Sequence, residues 1–426
     1  HKRINKVLWH SNDHCRRVVY PQYGATMIGF YSSEVDLSII AVELYRLADT
    51  PLLVTLPFFT FVGYILSESN TSERFLRLSQ VFFGWMPSGL AVVALVICAV
   101  FTAFTGASGV TIVALGAILF PTLLKAGYKE QFGLGLVTTS GSLGLLLPPS
   151  IPLILYGIIV QQMGIGESFT LEQLFLAGLL PCLLMILLLA VWSIYTNRNR
   201  TLARTGFSKK KAISVLKEAS WELPLPVFIL AGIFSGFFTI SEVAAMTALY
   251  VLVIEIFAYK EIKLIQLPDI MSRSMQMIGG ILLILGVSMA FTNFLIDAEV
   301  PARLFEWIKQ NIDSKLTFLI LLNIFLLILG AILDIFSAVI IVIPLIVPTA
   351  IGYGIHPVHL GIIFLANMQI GYLTPPIGMN LFIASYRFNR PVTELYKATL
   401  PFMLILLLAV LIITYVPQLS IWPVDQ

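Results

Sequence analysis

Residues 141–157 read GSLGLLLPPSIPLILYG, and residues 368–384 read MQIGYLTPPIGMNLFIA. Each stretch interrupts an apolar run with a Pro–Pro pair that follows a glycine by four residues. A proline inside a helix removes a backbone donor, clashes with the preceding turn and disfavours helical geometry in the residue before it. We therefore expect a helix to unwind at each pair and a second half-helix to restart at the prolines.

The two stretches belong to an internal repeat, because further landmarks recur at the same offset of 227 residues. Pro121 matches Pro348, and Gly127 matches Gly354. Internal repeats are typical of secondary transporters, where the two copies are either inverted or parallel. The sequence is compatible with both arrangements.

The rest of the chain is too apolar for a soluble enzyme, a nucleic-acid binder or a disordered scaffold. Of its 426 residues, 58% are hydrophobic and 12% are charged, and the mean hydropathy is +0.92. Soluble domains carry roughly 25% charged residues and have too little interior to hide so much apolar surface. With about 20 residues in a spanning helix, the chain is long enough to cross a membrane roughly ten to fourteen times.

Charge is concentrated in a few places. The stretch 196–217 holds seven lysines and arginines and no acid, which is typical of a cytoplasmic loop; a lipid-binding or nucleic-acid-binding patch is the alternative. Residues 1–22 are polar and basic, which suits a cytoplasmic or headgroup location. Cys15, Cys98 and Cys182 form no CxxC pair, so they predict neither a disulfide framework nor a metal site.

Unwound backbone at membrane depth is tolerated only where it lines a protein cavity. The free carbonyl groups suit a small hard cation such as Na⁺, whereas the amino terminus of the restarted half-helix suits an anion. A pair of purely structural kinks is the alternative. Two breaks at matched positions favour a binding site.

A second pair of interruptions precedes the Pro–Pro breaks. Residues 101–111 read FTAFTGASGVT, and the repeat offset pairs them with 328–338, ILGAILDIFSA. Each lies between two short apolar arms, which predicts a re-entrant hairpin with its tip inside the membrane. Asp334 is the only acid in its apolar segment, so it is either functional or a cap for free N–H groups.

Two further stretches are amphipathic. Residues 72–82 and 301–312 mix apolar and charged side chains, and in the second stretch the apolar residues follow helical spacing with the charges on the other side. Both are interpreted as helices lying in the membrane interface, with ordinary connecting helices as the alternative.

Several motifs together resemble one family. FTGASGVTIVALGAILFPTLLKAGY (104–128), TTSGSLGLLLPPSIPLILYG (138–157), LPVFILAGIFSGFFTISEVAA (225–245) and NMQIGYLTPPIGMNLFIAS (367–385) resemble the large membrane subunit of the tripartite ATP-independent periplasmic (TRAP) transporters, the DctM-like family. The resemblance runs from about residue 45 to the carboxyl end, with the motifs in family order. The chain departs from the family at its start, where a hydrophobic first helix is expected.

This resemblance implies an all-α polytopic protein of the bacterial inner membrane. Its fold would be an elevator fold like that of the ion transporter superfamily, with two repeats that each contain a re-entrant hairpin and a broken helix. The implied activity is Na⁺-driven uptake of an organic acid such as a C4-dicarboxylate or a sugar acid, with no enzymatic step and no ATP. The implied partners are a small four-helix membrane subunit and a periplasmic substrate-binding protein, with no nucleic acid.

The resemblance also implies two sodium sites and a division of the chain. The first Na⁺ site comprises Thr102, Thr105 and the backbone of Gly144, Leu147 and Pro149. The second comprises Gly330, Gly371, Thr374 and Ile377. Position in the repeat suggests that substrate binds between the tips, at Ser108, Ser140, Ser142, Asp334 and Asn367. The expected units are an atypical amino-terminal segment (1–22), scaffold helices with an interface arm (23–81 and 222–312), two transport units (82–195 and 313–390), a basic cytoplasmic loop (196–221) and a carboxyl-terminal helix (391–426).

Other functions fit the sequence less well. A stand-alone carrier would work without a binding protein, and a neighbouring reading frame for such a protein would argue against it. A membrane-embedded enzyme would need clustered His, Asp or Glu on facing helices, and intramembrane acids are sparse. A channel would not need two matched hairpin-and-break units.

Overall fold

A computed structural model describes residues 42, 45, 50–83, 86, 88–199, 209–312 and 314–424, and this part of the chain consists of helices and their connections. Eight helices are long and apolar enough to cross a membrane, and three shorter apolar helices accompany them. The predicted all-α polytopic class is therefore confirmed. The predicted amino-terminal segment 1–22 and residues 200–208 of the basic loop lie outside the described residues.

The first half contains seven described helices. They are α1 Thr55–Glu68, α2 Thr71–Phe83, α3 Gly89–Thr105, α4 Ser108–Lys125, α5 Glu130–Ser140, α6 Ile151–Met163 and α7 Leu171–Asn197. The remainder of the described chain adds eleven. They are α8 Lys209–Glu218, α9 Pro224–Phe234, α10 Ile240–Val253, α11 Leu267–Asp297, α12 Val300–Asn311, α13 Lys315–Ile332, α14 Ile335–Gly352, α15 Pro357–Gly371, α16 Met379–Phe388, α17 Val392–Tyr415 and α18 Gln418–Ile421.

The helix boundaries reproduce the repeat offset. α3 and α4 end at Thr105 and Lys125, and α13 and α14 end 227 residues later, at Ile332 and Gly352. Both Pro–Pro peptides are cis, and each separates two half-helices. The broken helices are thus α5 with α6 and α15 with α16, as the sequence predicts.

Both helix pairs before the breaks are hairpins that return to their starting level. In the second, Lys315 Nζ donates to the carbonyl oxygen of Gly354 at 2.7 Å, and the rings of Phe318 and Tyr353 stack with centroids 4.5 Å apart. In the first, the Tyr128 hydroxyl lies beside Ser88, at the start of α3. Each hairpin therefore begins and ends at the same level, a geometry shared by re-entrant hairpins and by pairs of full spans.

The two hairpins enter from opposite faces. An ionic cluster joins the end of α1, the start of α9, the end of α10 and the first turns of α11, since Arg74 contacts Glu222 and Arg273 contacts Glu68 at 2.8 Å. The first hairpin follows α2 at this face. The 31 residues of α11 then extend about 46 Å, at 1.5 Å per residue, before α12 and the second hairpin begin. The repeats are therefore inverted.

The amphipathic stretches form α2 and α12, but α2 does not keep its charges on a solvated side. Arg74 is only 3% exposed and contacts three carboxylates, those of Glu222, Glu255 and Glu261. Partial burial raises the pKa of Glu261, but hydrogen bonds from Arg74 and Asn70 outweigh burial and hold that pKa below its usual range. These contacts fasten α2 to the scaffold helices.

Candidate functional site

The first break packs directly on the first hairpin. A Cβ atom on Gly144 would lie 1.9 Å from the carbonyl oxygen of Ala99 and 2.6 Å from the amide nitrogen of Ala103. Only glycine permits this approach of the unwound segment to α3. The approach brings the backbone of the break beside the hydroxyl groups of the hairpin tip.

Thr102 is the centre of an oxygen cluster between the hairpin and the break. Its Oγ1 atom lies 2.7 Å from the carbonyl oxygen of Cys98, 2.7 Å from Oγ1 of Thr111 and 2.9 Å from the carbonyl oxygen of Gly141. A hydroxyl group has one proton, so it donates to only one of the two carbonyls. The cluster is fully buried at Thr102 and Thr111, and it has more acceptors than protons.

The other members predicted for the first ion site lie around this cluster. Thr105 Oγ1 is 3.5 Å from the carbonyl oxygen of Thr102 and 3.4 Å from that of Ala107. The carbonyls of Gly144 and Leu147 each accept one backbone N–H, from Leu147 and Ser150. Each carbonyl oxygen therefore retains a second lone pair. Pro149 is buried in the same break.

The second break repeats the glycine contact. A Cβ atom on Gly371 would lie 2.4 Å from the Cα atom of Gly330, which is the repeat counterpart of Ala103. The amides of Ile377 and Gly378 both donate to the carbonyl oxygen of Ala331 at 3.3 Å. The loop beyond the break is thereby tied to the second hairpin.

Ile377 is more exposed than its first-half counterpart, the buried Ser150, whereas Thr374 and its counterpart Leu147 are both half-buried. The Thr374 hydroxyl donates to the carbonyl oxygen of Ile370 at 3.0 Å, and the Ile377 side chain is 45% exposed. Pro148 and Pro149 of the first break are buried, whereas Pro375 and Pro376 are exposed. The structure therefore encloses the first predicted ion site and leaves the second open on one side.

Asp334 caps the second arm of its hairpin. Its Oδ1 atom accepts from the amides of Phe336 and Ser337, each at 3.0 Å, and Oδ2 accepts from the Ser337 hydroxyl at 2.6 Å. Of the two interpretations of this carboxylate, the structure places it in the capping role, since a side-chain acceptor satisfies the first free N–H groups of a helix.

The remaining predicted substrate residues do not converge as one group. The hydroxyls of Ser140 and Ser142 donate within their own segment, at 3.3 Å to the carbonyl oxygens of Val137 and Thr139. Asn367 Nδ2 donates to Oδ1 of Asn323 in α13 at 2.7 Å, so Asn367 faces the second hairpin. Ser108 is buried at the first residue of α4.

The first hairpin tip is packed between the two broken helices. A Cβ atom on Gly106 would lie 2.4 Å from Cδ1 of Ile151, and one on Gly109 would lie 2.7 Å from Cδ1 of Ile383. Ile151 begins α6 and Ile383 belongs to α16. The elements that carry the predicted ion ligands of one repeat are therefore in contact with the other repeat.

Two buried amides of the second broken helix escaped the sequence analysis. Gln369 is 0% exposed, and neither of its amide atoms has a hydrogen-bond partner among the described residues. Asn380 Nδ2 donates to the carbonyl oxygen of Thr138 at 3.3 Å, while its Oδ1 atom also has no described partner. Buried polar groups are normally satisfied, so both residues are candidates for contacting a bound species. Their amide side chains within apolar runs were the available signal.

The donor set around the breaks consists of neutral oxygen atoms. Within the described residues there is no group of three or more His, Cys, Asp or Glu side chains that could hold a metal ion. Hydroxyl and carbonyl oxygens are ligands that hard cations such as Na⁺ accept, and they do not favour transition metals. The oxygen atoms at Thr102 are thus of the kind that an alkali cation accepts as ligands.

Comparisons with known proteins agree with this architecture. Residues 18–419 match the family model described as the DctM component of the tripartite ATP-independent periplasmic transporter. A C4-dicarboxylate TRAP transporter large permease protein DctM of Rhodobacter capsulatus is 33% identical over 405 residues, covering 92% of this chain and 91% of the relative. An ectoine/5-hydroxyectoine TRAP transporter large permease protein, UehC of Ruegeria pomeroyi, is 30% identical, covering 87% and 85%.

A solved structure shares the fold at low sequence identity. The YdaH transporter of Alcanivorax borkumensis superimposes with a TM-score of 0.62 at 13% identity, covering 90% of this chain and 87% of that chain. This likeness concerns the fold alone.

Proposed function

This chain belongs to the DctM component family of tripartite ATP-independent periplasmic transporters, and from that premise we propose that it imports a small organic acid across the bacterial inner membrane by Na⁺ symport. The observation that carries the proposal is the pair of hairpin-and-break units, each closed by a glycine contact, with a cluster of neutral oxygens at the first. Inverted repeats with such breaks are the usual frame of ion and substrate sites in secondary transporters.

The first coupling ion is proposed to bind at the Thr102 cluster. Thr102 and Thr105 would supply hydroxyl oxygens, and Gly144, Leu147 and Pro149 would supply carbonyls. A cation there would relieve the excess of acceptors around Thr102. Na⁺, when bound, supplies positive charge between the hairpin and the break, and it thereby links ion binding to the position of the hairpin tip.

A second ion is proposed at Gly330, Gly371, Thr374 and Ile377. The exposed loop at Pro375–Ile377 gives this site a path to solvent. The enclosed first site and the open second site are together compatible with ordered binding, in which one ion is held before the other enters.

The substrate carboxylate is proposed to bind at helix amino termini near the tips. Asp334 already satisfies the first turn of α14, so that terminus is unavailable to an anion. The amino termini of α4, at Ser108, and of the half-helices α6 and α16 remain. Gln369 and Asn380 would hydrogen-bond the polar groups of the substrate. The relatives are named for C4-dicarboxylates and for ectoine, so the family supports an organic acid without choosing one.

Transport is proposed to follow an elevator motion of the hairpins and broken helices (α3–α6 and α13–α16) against α1, α2 and α9–α12. An apolar cavity of about 110 Å³ separates Phe104 and Pro149 from Pro226 and Ile229 of α9. A seam of apolar side chains resists sliding less than a network of directed hydrogen bonds would. The small four-helix subunit is proposed to extend the scaffold, with α8 at the cytoplasmic face and a periplasmic binding protein delivering the substrate.

Cross-linking across the seam tests the motion. In a variant without native cysteines, Phe104→Cys and Ile229→Cys would be joined by a bifunctional thiol reagent. Uptake should stop on cross-linking, whereas a Phe120→Cys and Phe388→Cys pair, whose parent rings are 5.0 Å apart within the moving unit, should tolerate it. Full uptake after complete Phe104–Ile229 cross-linking would exclude the elevator.

Deleting the gene for this chain from its host and growing the cells on a panel of organic acids would identify the substrate as the acid on which growth is lost. Uptake that persists without any binding protein would favour the stand-alone carrier instead.

A further inference from the structure

A second cavity lies outside the proposed transport site, between the amphipathic helix α12 and the second hairpin. Its volume is about 430 Å³. Its walls are almost entirely apolar, and they come from α12, α13 and α14, as in Leu304, Trp307, Leu322, Phe325, Leu345 and Ile346. The space is a cleft that is open on one side, not an enclosed void.

The internal repeat provides a direct comparison for this cavity. The first-half counterparts of Phe318, Leu322, Val342 and Ile346 are Ala91, Leu95, Leu115 and Leu119. All four counterparts are 0% exposed, whereas the first three second-half residues are 5–6% exposed and Ile346 is half-buried. In the first half, α2 packs against α3 and places Phe75 and Leu76 in the interior. In the second half, α12 packs on α14 and leaves the space above α13 unfilled. The same architecture is thus filled by protein in one repeat and left open in the other.

The surroundings of the cavity identify the class of molecule that fits it. Leu321 and Phe325 line it, and each is 46% exposed on the outer face of α13, so the cavity opens sideways toward the hydrocarbon of the bilayer. Its roof, α12, is an amphipathic helix of the kind that lies at the membrane interface. A molecule entering there from the bilayer would be an acyl chain.

One polar atom in the wall adds a contact point. Thr349 is 2% exposed, and its hydroxyl has no hydrogen-bond partner among the described residues. It stands one turn before the end of α14, at the base of the hairpin and therefore near the level of the lipid ester groups. An ester carbonyl at that level would accept from the hydroxyl.

From these observations we propose that the space between α12 and the second hairpin binds one acyl chain of a phospholipid, with its ester carbonyl at Thr349. α12 carries Arg303, Glu306 and Lys309, and Glu299 directly precedes it, so headgroup charge is not selected. α12 follows the scaffold helix α11, whereas the second hairpin belongs to the proposed moving unit. The acyl chain therefore fills the junction between the scaffold and the moving unit. The site itself does not depend on the proposed transport function.

Native mass spectrometry of the purified complex tests the site after exchange into detergent. The wild type should retain one phospholipid per copy of this chain. Leu322→Trp and Leu345→Trp fill the cavity and should each lower the retained fraction at least tenfold, and Thr349→Val should lower it about threefold. Leu187→Trp, at a side chain that is 58% exposed on α7, is the matched control and should retain the lipid.

Three outcomes would overturn the proposal. Absence of retained phospholipid in the wild type would do so, as would equal retention in the wild type and both filling variants. The third is capture of a partner subunit rather than lipid by a photoreactive thiol reagent on Leu345→Cys. Monodisperse elution of both filling variants would show that they fold, so that a loss of retained lipid reflects lost binding. Uptake assays test the transport mechanism separately from lipid retention.

Discussion

Gly371 of α15 lies so close to Gly330 of α13 that a Cβ atom on Gly371 would stand 2.4 Å from the Cα atom of Gly330. Gly144, its repeat counterpart, is held against the backbone of α3 in the same way. The two contacts fix each unwound segment against a hairpin. They are therefore the places where a single methyl group should have the largest effect.

Gly371→Ala and Gly144→Ala should each reduce uptake roughly ten- to a hundredfold. The backbone has to move to admit the methyl group, and overpacking of this kind costs typically 1–3 kcal/mol. Initial uptake rates in liposomes measure the effect. Gly279→Ala in α11 is the control, because nothing lies within 4 Å of its added Cβ, and it should transport normally. Normal uptake by both break variants would show that the close contacts are not needed.

Thr102→Val should raise the Na⁺ concentration for half-maximal uptake about tenfold, since the methyl replaces an oxygen at the centre of the proposed ion site. Thr105→Val should shift it in the same direction and by less, because its oxygen contacts are longer. Thr138→Val is the control, since that hydroxyl donates to its own helix at Leu134. An unchanged Na⁺ response in Thr102→Val would remove Thr102 from the site.

Asp334→Asn should keep both stability and uptake, because an amide oxygen still caps α14. Asp334→Ala should lower the free energy of unfolding by about 1 kcal/mol, the usual cost of losing such a cap. Thermal unfolding in detergent and uptake assays separate the two properties. A large rise in the substrate concentration for half-maximal uptake in the Asn variant would instead place the charge of Asp334 in substrate binding.

Arg74→Gln should destabilise the protein by about 3–5 kcal/mol, because it leaves three carboxylates together without a cation. Glu255→Gln should be neutral or stabilising, since Glu222 and Glu261 remain to pair with the guanidinium group. Arg303→Gln, which removes an exposed pair, should change stability by less than about 1 kcal/mol. Similar unfolding temperatures for Arg74→Gln and Arg303→Gln would contradict a stabilising role for the contacts between Arg74 and the three carboxylates.

The breaks and hairpins could be predicted because proline and glycine act locally on the backbone. Pro148–Pro149 and Pro375–Pro376 end helices wherever they stand, and their spacing reveals the repeat. The burial of Arg74 could not be predicted, because its partners Glu222 and Glu255 are distant in the chain. Amphipathic spacing alone places a charged residue on the solvent-exposed side of its helix. The role of Asp334 became clear only from its hydrogen bonds, since a cap and a ligand look alike in sequence.

The most direct test of the account is the driving force for uptake. The purified chain, reconstituted in liposomes with its small membrane subunit and its binding protein, should accumulate the organic acid only under an inward Na⁺ gradient. A K⁺ gradient of equal size should give no accumulation. Accumulation that ignores Na⁺ and follows an imposed proton gradient would contradict the assignment of coupling ions to the Thr102 cluster and to the contact of Gly330 with Gly371.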